Sequence, residues 1–416
     1  MALLTRNGEP SPPRIAQAVI LCGGLGTRLG ELTRETPKPL LPVAGRPFLE
    51  ILIQEITRYD VSRFLLLAAF RSEQIESFAR EVGQRIGRDI IVEVAIEPDQ
   101  AGTGGALYHA RDRLDEVFYL FNGDTFLDTP LDQLARLAQD PEVIGALALR
   151  RLEAAGRYGV VDLEGDRITA FGRVAAPDEP AWINGGVAVF RRTFVDGLAA
   201  QGSFERDNLP GLAAAGRLRG LPVTGFFLDI GVPEDFARAQ TEIQASRRRP
   251  AVFFDRDGVL NVNHGHVGTR DRFEWIEGAR EAIALVNARG YYAFVVTNQA
   301  GIGKGFYSEA DYHQLTRHIR DDLAEAGARI DDERYCPFHL EAVDEAYRRD
   351  SDWRKPRPGM LNDLIAKWPV DVASSVMIGD NLTDMEAAEA AGVAGHLFSG
   401  GRLDAFVADI LEGRTA

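Results

Sequence analysis

The chain has 416 residues, of which 45% are hydrophobic and 26% charged, and its formal net charge at pH 7 is −15. This length predicts two or three domains, each with its own core. The acidic balance argues against a nucleic-acid partner or an anionic membrane because like charges repel, and no stretch reaches the roughly 18 apolar residues that a membrane span needs.

Residues 1–13 contain three prolines and no long apolar run, which predicts a flexible tail and not a signal peptide. The two cysteines, Cys22 and Cys336, lie far apart in the sequence. Their number and spacing predict free thiols and a reducing compartment. We therefore expect a cytoplasmic protein.

Apolar, β-rich runs alternate with segments of helical spacing, which predicts an α/β fold made of two Rossmann-like domains. The first domain is expected to have a mixed, mostly parallel sheet, with predicted strands at 63–70, 90–96, 117–124 and 144–150. A predicted helix at 233–246 is followed by three arginines and Pro250, which indicates an exposed linker. We place the domains at 14–246 and 250–416.

Strands of the second part are predicted at 251–255, 291–298 and 375–380. Several predicted strands in both parts end in Asp, Asn or Gly. Ligands of open α/β sheets bind at the carboxyl ends of the strands. Both parts are therefore expected to carry a site.

A glycine-rich turn follows the first strand in the stretch AVILCGGLGTRLG, residues 18–30. Leu29 stands where a dinucleotide fingerprint needs its third glycine, and no Lys-Ser/Thr pair closes a Walker loop. A plain tight turn is the alternative. Further on, Lys38 lies between two prolines that stiffen the segment. We expect Arg28 and Lys38 to neutralise a triphosphate, whose oxygens accept hydrogen bonds from the backbone of Gly23, Gly24, Gly26 and Thr27.

Over residues 16–243 the chain resembles the sugar-1-phosphate nucleotidylyltransferases, whose signature pair is this glycine loop and the segment PKPL, 37–40. The resemblance implies a loop at 102–107 that contacts the nucleotide base through Gly102, Thr103 and Gly104. It also implies sugar contacts from Asn184 and Gly185, and catalytic Mg²⁺ on Asp124 and Asp229. Segments 42–50 and 102–107 are most similar to the heptose-1-phosphate guanylyltransferases.

Nucleotidyl transfer joins two anions, so a metal ion must bridge them and cations must stabilise the departing pyrophosphate. Two carboxylates suit Mg²⁺, whereas either aspartate alone would be a turn or a helix cap. One departure concerns residues 168–179, where the family commonly has a Glu-Lys pair and this chain has no lysine. Arg173 is the expected substitute, although arginine differs from lysine in reach and geometry.

In the second part, Asp255 and Asp257 end an apolar strand two residues apart, so both carboxylates face the same way. A buried pair of like charges requires a cation, whereas an isolated Asp-x-Asp would be an acidic turn. Residues 250–400 resemble the haloacid dehalogenase-like phosphatases, with their four motifs in order at 255–259, 295–305, 354–360 and 377–385.

By this resemblance Asp255 forms an aspartyl-phosphate, while Asp257 protonates the leaving alcohol and then activates water. Mg²⁺ is expected on Asp255, the backbone carbonyl of Asp257, and Asp380, with Asp384 orienting that site. The phosphoryl group and the substrate are expected to be held by Thr297, Asn298, Arg354 and Lys355.

This part is most similar to the heptose 1,7-bisphosphate 7-phosphatases, and the histidinol phosphatases are close to it. Both usually carry a structural zinc ion. Here only Cys336 and His339 remain, and residues 351–353 contain no cysteine, so we expect no zinc and a buried, hydrophobe-like Cys336. His264 and His266 are expected to be loop residues or substrate contacts. His313 and His318, on a predicted helix, carry no assigned role.

The two resemblances together imply an enzyme that dephosphorylates a heptose 1,7-bisphosphate and transfers a nucleotidyl group from GTP to the product. Mg²⁺ serves both domains, and the partners are nucleoside triphosphates and sugar phosphates. Alternatives are another sugar or nucleotide, or a regulatory protein with one inactive domain. The presence of every motif residue argues against the regulatory alternative. The oligomeric state stays open.

Overall fold

The structure, a computed structural model, describes residues 14–98, 101–156, 158–174, 176 and 178–413. The predicted N-terminal tail lies outside the described residues. The described chain forms two compact units, which divide between Ser246 and Arg247. Among the helices of these residues, none is long and apolar enough to cross a membrane.

The first unit contains thirteen strands and seven α-helices among its described residues. Its strands are β1 (Gln17–Leu21), β2 (Pro42–Val43), β3 (Arg46–Pro47), β4 (Arg63–Ala68), β5 (Ile91–Ile96), β6 (Val117–Asn122), β7 (Thr125–Leu127), β8 (Gly145–Leu152), β9 (Gly159–Glu164), β10 (Arg167–Val174), β11 (Ala181–Arg191), β12 (Leu218–Val223) and β13 (Phe227–Asp229). Its helices are α1 (Phe48–Thr57), α2 (Ser72–Ile86), α3 (Gly102–His109), α4 (Leu131–Leu137), α5 (Phe204–Asp207), α6 (Leu209–Ala214) and α7 (Pro233–Arg247).

Nine of these strands form one mixed sheet in the order β5-β4-β1-β6-β11-β8-β12-β10-β9. The first four run parallel, and β11 then pairs antiparallel with both β6 and β8. The sheet is covered on both faces, because Ala18 and Ile20 pack into one core cluster and the intervening Val19 packs into another. Burial on both faces explains the continuous apolar runs of these strands.

The second unit has a five-stranded, fully parallel sheet in the order β16-β15-β14-β17-β18. Its strands are β14 (Ala251–Phe254), β15 (Tyr292–Asn298), β16 (Asp332–Cys336), β17 (Val376–Gly379) and β18 (Ala394–Leu397). Its helices are α8 (Ala279–Ala288), α9 (Ala300–Gly303), α10 (Glu309–Glu325), α11 (Gly359–Lys367), α12 (Leu382–Ala390) and α13 (Leu403–Glu412). The carboxyl end of the central β14 is therefore flanked by those of β15 and β17.

The predicted α/β class is confirmed, but the expected loop at 102–107 is wrong because these residues begin helix α3. The glycines allow close packing of this helix on a neighbouring segment. Gly104 N–H donates a hydrogen bond to Gly202 O at 2.9 Å. A Cβ at Gly105 would lie 2.5 Å from Ala200 O. Glycine removes that clash, so a glycine-dense segment is helical here.

The prediction of an exposed linker at the three arginines, residues 247–249, is also wrong. Arg247 is the last residue of α7, and it is buried. Arg249 forms a β-bridge with Val370, and Arg248 an ion pair with Asp371. These residues belong to the folded structure because their backbone and side chains have partners in the second unit.

Candidate active sites

The glycine segment leaves the carboxyl end of β1 with several unused hydrogen-bond donors. Gly26 has a φ of +62°, a conformation that favours glycine. Within the described chain, no residue accepts a hydrogen bond from the backbone N–H of Gly23, Gly24, Gly26 or Thr27. Arg28 is exposed and has no ion-pair partner among the described residues. Free N–H groups next to a free guanidinium suit an anion.

Two carboxylates and a lysine converge near this segment. Asp124 follows β6, Asp229 ends β13, and the pairing of β13 with β7 brings them together. The buried Lys38 Nζ lies 2.6 Å from Asp124 Oδ2 and 3.6 Å from Asp229 Oδ1. Burial and the charge of Asp124 raise the pKa of Asp229, which Lys38 partly offsets. The structure thus places the predicted phosphate ligand Lys38 on the predicted metal ligands.

The predicted sugar strand, β11, lies beside β6 at this site. Asn184 Nδ2 donates a hydrogen bond to Glu205 Oε1 at 2.6 Å, and Asn184 Oδ1 accepts one from Gly186 N–H at 3.2 Å. At Gly185 any side chain would collide with Leu127. Glu205 was not predicted from the sequence, because nothing in its local pattern links it to Asn184, twenty-one residues earlier.

Glu97, also missed, lies against the glycine segment at the end of β5. Its Oε1 fills the space that a side chain at Gly23 would need. Its Oε2 is buried and has no hydrogen-bond partner among the described residues. Burial raises the pKa of Glu97 to about 6. The hydroxyl of the predicted base contact Thr103 is likewise buried without a described partner. An acidic residue directly after an apolar strand was the available signal.

Arg173, the expected substitute for the missing lysine, is an exposed residue of β10 that is bound elsewhere. Its guanidinium makes a two-pronged hydrogen bond with Glu179, at 2.7 and 3.1 Å. The structure gives it no contact with Lys38 or the two aspartates.

In the second unit, Lys355 joins two buried carboxylates, Asp255 after the central strand β14 and Asp384 on α12. Its Nζ lies 2.8 Å from Asp255 Oδ1 and 2.6 Å from Asp384 Oδ1, and donates a hydrogen bond to Val296 O at 2.9 Å. Burial raises the pKa of Asp255 to about 7, an increase that Lys355 limits. Asn298 orients Lys355, because its side-chain amide makes two hydrogen bonds with the Lys355 backbone, both 3.1 Å long.

Asp257 is held by three residues around it. Arg256 reaches both of its carboxylate oxygens at 3.0 Å, Gln299 Nε2 donates to Oδ2 at 3.0 Å, and Asn261 Nδ2 donates to Oδ1 at 3.0 Å. Arg256, Gln299 and Asn261 are themselves buried. The sequence pattern alone did not predict a role for these three residues. They fix the direction of the carboxylate.

A cavity of about 270 Å³ opens over these groups. Its lining includes the predicted Asp255, Asp257, Thr297, Asn298, Lys355, Asp380 and Asp384. His266 also lines it, and its ring stacks on Phe306 with centroids 4.5 Å apart. Arg354 is not among the lining residues; its charge acts on Cys336 and His339 instead.

The remaining histidines and Cys336 lie outside this cavity. His264 contacts Glu274 at 3.1 Å on the surface, and on α10 His318 lies 3.5 Å from Asp322. His313, also on α10, contacts the Tyr335 hydroxyl at 3.4 Å. Cys336 is buried in an apolar cluster, and desolvation by this burial raises the pKa of its thiol.

The donor set of this cavity fits a hard divalent cation. Asp255, Asp380 and Asp384 each offer one carboxylate oxygen, and the three oxygens lie within 4.8 Å of one another. Gly258 has a φ of +96°. Any side chain at this position would occupy the space that the Asp380 carboxylate fills. Oxygen ligands of this kind are those that Mg²⁺ prefers. Asp384 joins the cluster directly, beyond the orienting role expected for it.

A family model described as Nucleotidyl transferase matches residues 17–246, and one described as HAD-hydrolase-like matches residues 352–409. The D-glycero-beta-D-manno-heptose-1,7-bisphosphate 7-phosphatase of Rhodopseudomonas palustris is 51% identical over 164 residues, which are 39% of this chain and 91% of that protein. The protein of the same name from Vibrio cholerae is 46% identical over 145 residues, 35% of this chain and 78% of that protein.

Among solved structures, HddC from Yersinia pseudotuberculosis aligns with 26% identity and a TM-score of 0.49, over 55% of this chain and 100% of that chain. The family match of residues 17–246 and the phosphatase relatives confirm the two resemblances seen in the sequence. The chain therefore belongs to the nucleotidyl transferase family through its first unit and to the family of these 7-phosphatases through its second, and it is an enzyme of both types.

Proposed function

We propose that this enzyme removes the 7-phosphate of a heptose 1,7-bisphosphate and then transfers GMP from GTP to the resulting heptose 1-phosphate. The observation that carries the proposal is the presence of both sites on one chain. The relatives of the second unit are named for a bisphosphate, and removal of its 7-phosphate leaves a sugar 1-phosphate. A sugar 1-phosphate is the class of acceptor that a site such as that of the first unit can use.

In the phosphatase unit, an oxygen of Asp255 attacks phosphorus, and the bond from phosphorus to the sugar oxygen breaks. Asp257, held by Arg256 and Gln299, gives its proton to that sugar oxygen. Asp257 then takes a proton from water, which attacks the aspartyl-phosphate and releases inorganic phosphate. Lys355 balances the charges of Asp255 and Asp384. Mg²⁺ held by Asp255, Asp380 and Asp384 would supply neutralisation of phosphoryl charge.

In the nucleotidyl unit, a phosphate oxygen of the sugar 1-phosphate attacks the α-phosphorus of the nucleotide, and pyrophosphate leaves. The free N–H groups of Gly23, Gly24 and Gly26 bind the nucleotide phosphates, and Arg28 stabilises the departing charge. Lys38 moves from the acidic pair to the phosphates. Asp124 and Asp229 would hold Mg²⁺, which supplies charge neutralisation between the two anions.

Guanine is the base that Glu97 favours. The Watson–Crick edge of guanine presents two adjacent donors, N1–H and the 2-amino group, which a carboxylate accepts together. Adenine instead presents an acceptor beside its amino group, which the carboxylate repels. Support comes from the unpartnered Oε2 of Glu97 and from its pKa of about 6, which leaves it ionised at neutral pH.

The test gives the purified protein Mg²⁺, each anomer of heptose 1,7-bisphosphate, and each of the four nucleoside triphosphates in turn. Phosphate, pyrophosphate and sugar nucleotide are measured by mass spectrometry. GDP-heptose from one anomer is expected. Asp255→Asn should lower phosphate release at least about 1,000-fold and keep transfer to supplied heptose 1-phosphate. Asp124→Ala should lower nucleotidyl transfer by at least the same factor and keep phosphate release.

A variant that keeps both activities would contradict the role assigned to its residue. Phosphate without sugar nucleotide would contradict the acceptor sugar proposed for the first unit. The absence of both activities with every sugar and nucleotide would favour a regulatory protein that binds these ligands.

A further inference from the structure

Tyr307 fills a space in the second unit that two glycines leave open. It lies between α9 and α10, after the turn at Gly305. A Cβ at Gly268 would lie 2.1 Å from the ring of Tyr307, and one at Gly301 would lie 2.3 Å from it. A side chain at either position would displace the ring, so both positions require glycine. The ring of Tyr307 therefore packs directly on two stretches of backbone.

The hydroxyl of Tyr307 contacts the side chain of Gln299. It donates a hydrogen bond of 2.5 Å to Gln299 Oε1, its one hydrogen bond among the described residues. Burial raises the pKa of Tyr307 to about 12, so the hydroxyl keeps its proton at neutral pH. Tyr307 also lines the phosphatase cavity. It thus presents a fixed donor to Gln299 at the edge of that cavity.

The amide of Gln299 has partners on both its oxygen and its nitrogen. Its Oε1 also accepts a hydrogen bond from Arg256 Nη2 at 3.1 Å. Its Nε2 donates to Asp257 Oδ2 at 3.0 Å and to Thr297 Oγ1 at 2.8 Å. Arginine can only donate and a carboxylate only accepts, so the amide cannot be reversed. Gln299 therefore has one orientation, to which Tyr307 contributes the shortest of these hydrogen bonds.

The orientation of Gln299 affects two groups of the reaction at once. Proton transfer needs an oxygen of Asp257 within hydrogen-bond distance of the leaving oxygen. Thr297 is a predicted contact of the phosphoryl group. One amide therefore sets the position of the acid relative to the phosphoryl group. Without the hydroxyl of Tyr307 this amide gains freedom to rotate, and a small displacement of a reacting group lowers the rate strongly.

We propose that Tyr307 is a positioning residue of the phosphatase reaction, which fixes Gln299 and, through Gln299, the proton donor Asp257. This role rests on the phosphatase activity proposed above. In that reaction the bond from Asp255 to phosphorus forms, the bond from phosphorus to the leaving oxygen breaks, and the proton of Asp257 passes to that oxygen. Tyr307 neither gives nor takes this proton. It determines where Asp257 stands when the leaving oxygen receives it.

The experiment measures the first turnover of the full-length Tyr307→Phe enzyme with Mg²⁺, by rapid quench with enzyme in excess. The first turnover reports transfer to Asp255 and release of the leaving group, before the aspartyl-phosphate is hydrolysed. The substrates are heptose 1,7-bisphosphate and three simple esters, p-nitrophenyl, phenyl and benzyl phosphate, whose leaving groups are increasingly basic. Nitrophenolate leaves without a proton because it is a weak base, whereas an alcohol leaves only with one.

The rates with benzyl phosphate and with the heptose should fall about tenfold, a part of the roughly 100- to 10,000-fold that a general acid contributes. The rate with p-nitrophenyl phosphate should fall less than about twofold, and phenyl phosphate should lie between. The steady-state KM for the heptose should change less than about twofold. Tyr335→Phe is the matched control, because it removes a hydroxyl of the same cluster that binds Glu309 Oε1 at 3.1 Å. It should change none of these rates.

A second variant tests whether Tyr307 acts through Gln299. Gln299→Ala should lower the first-turnover rate with benzyl phosphate at least as much as Tyr307→Phe does. Combining the two substitutions should cause no further loss, because the hydroxyl then has no amide to fix. The melting temperature of each variant verifies that it folds.

Equal losses with all four substrates, or a further loss in the double variant, would overturn the role of Tyr307. A higher KM with unchanged first-turnover rates at saturation would also overturn it, and would assign Tyr307 a direct substrate contact. The simple esters separate this inference from the proposed function. A loss that grows with leaving-group basicity, in an enzyme that does not hydrolyse the heptose, would refute the proposed substrate alone. Hydrolysis of the heptose without that dependence would refute the inference alone.

Discussion

Among single residues, Glu97 is a carboxylate whose environment clearly disfavours its charged form. Its pKa of about 6, against an ordinary 4.5, means that the folded unit binds the proton more tightly than the unfolded chain does. Above about pH 6 the carboxylate therefore costs stability, and this cost disappears as the pH falls from about 6 to 4.5. Glu97→Gln should stabilise the first unit at pH 7.5 by roughly 1 kcal/mol, a value reduced for partial exposure, and not at pH 4.5. The same substitution should also lower the affinity for GTP, relative to the affinity for ATP, at least about tenfold.

Thermal melts across this pH range and nucleotide titrations measure both effects. Glu81→Gln removes the same charge from an exposed position on α2 and should change neither. A stability gain that is equal at both pH values would contradict the assignment of the shift to Glu97, and an unchanged preference for GTP would contradict its contact with the base.

Among the elements, α3 depends most on the absence of side chains. Gly105→Ala places a methyl group 2.5 Å from Ala200 O, so the backbone must move. We expect a loss of about 1–3 kcal/mol in stability and weaker binding of both substrates, because the segment after Ala200 leads to α5. Gly211→Ala, in α6, makes the same change in open space and should stabilise by up to about 1 kcal/mol. Denaturant unfolding measures both; an equally stable Gly105→Ala would contradict the packing described for α3.

The elements also show what can be predicted from sequence. Strands β4, β6 and β14 were predictable because burial on both faces makes them continuous apolar runs, and motifs at their carboxyl ends located Asp124 and Asp255. The partners of Asp257 and Asn184 were not predictable: Gln299 and Glu205 reach them only through strand order and helix docking. The prediction of a loop at glycines 102, 104 and 105 was wrong because glycines have two possible causes. A ligand-binding loop favours residues without a side chain, and so does a helix packed closely on a neighbouring backbone.

For the whole molecule, the separate cores of the two units predict separate thermal limits. Leu323 belongs to a cluster formed by residues of the second unit, and Leu134 to one formed by the first. Each is fully buried, so substitution by alanine should cost about 2–5 kcal/mol. After brief heating, Leu323→Ala should lose phosphatase activity at a lower temperature while nucleotidyl transfer persists to the temperature of the unsubstituted enzyme. Leu134→Ala should show the reverse order; joint loss of both activities in either variant would indicate one cooperative unit.

The two cysteines give this enzyme a built-in reporter for each unit. Cys22 lies in the first unit and Cys336 in the second, and both are fully buried with thiols whose pKa values are raised by desolvation. A thiol reagent added to the native protein therefore reacts only when the surrounding structure opens, because reaction needs an accessible thiolate. The labelling rate at each position then measures how often that unit opens, without any substitution in the chain.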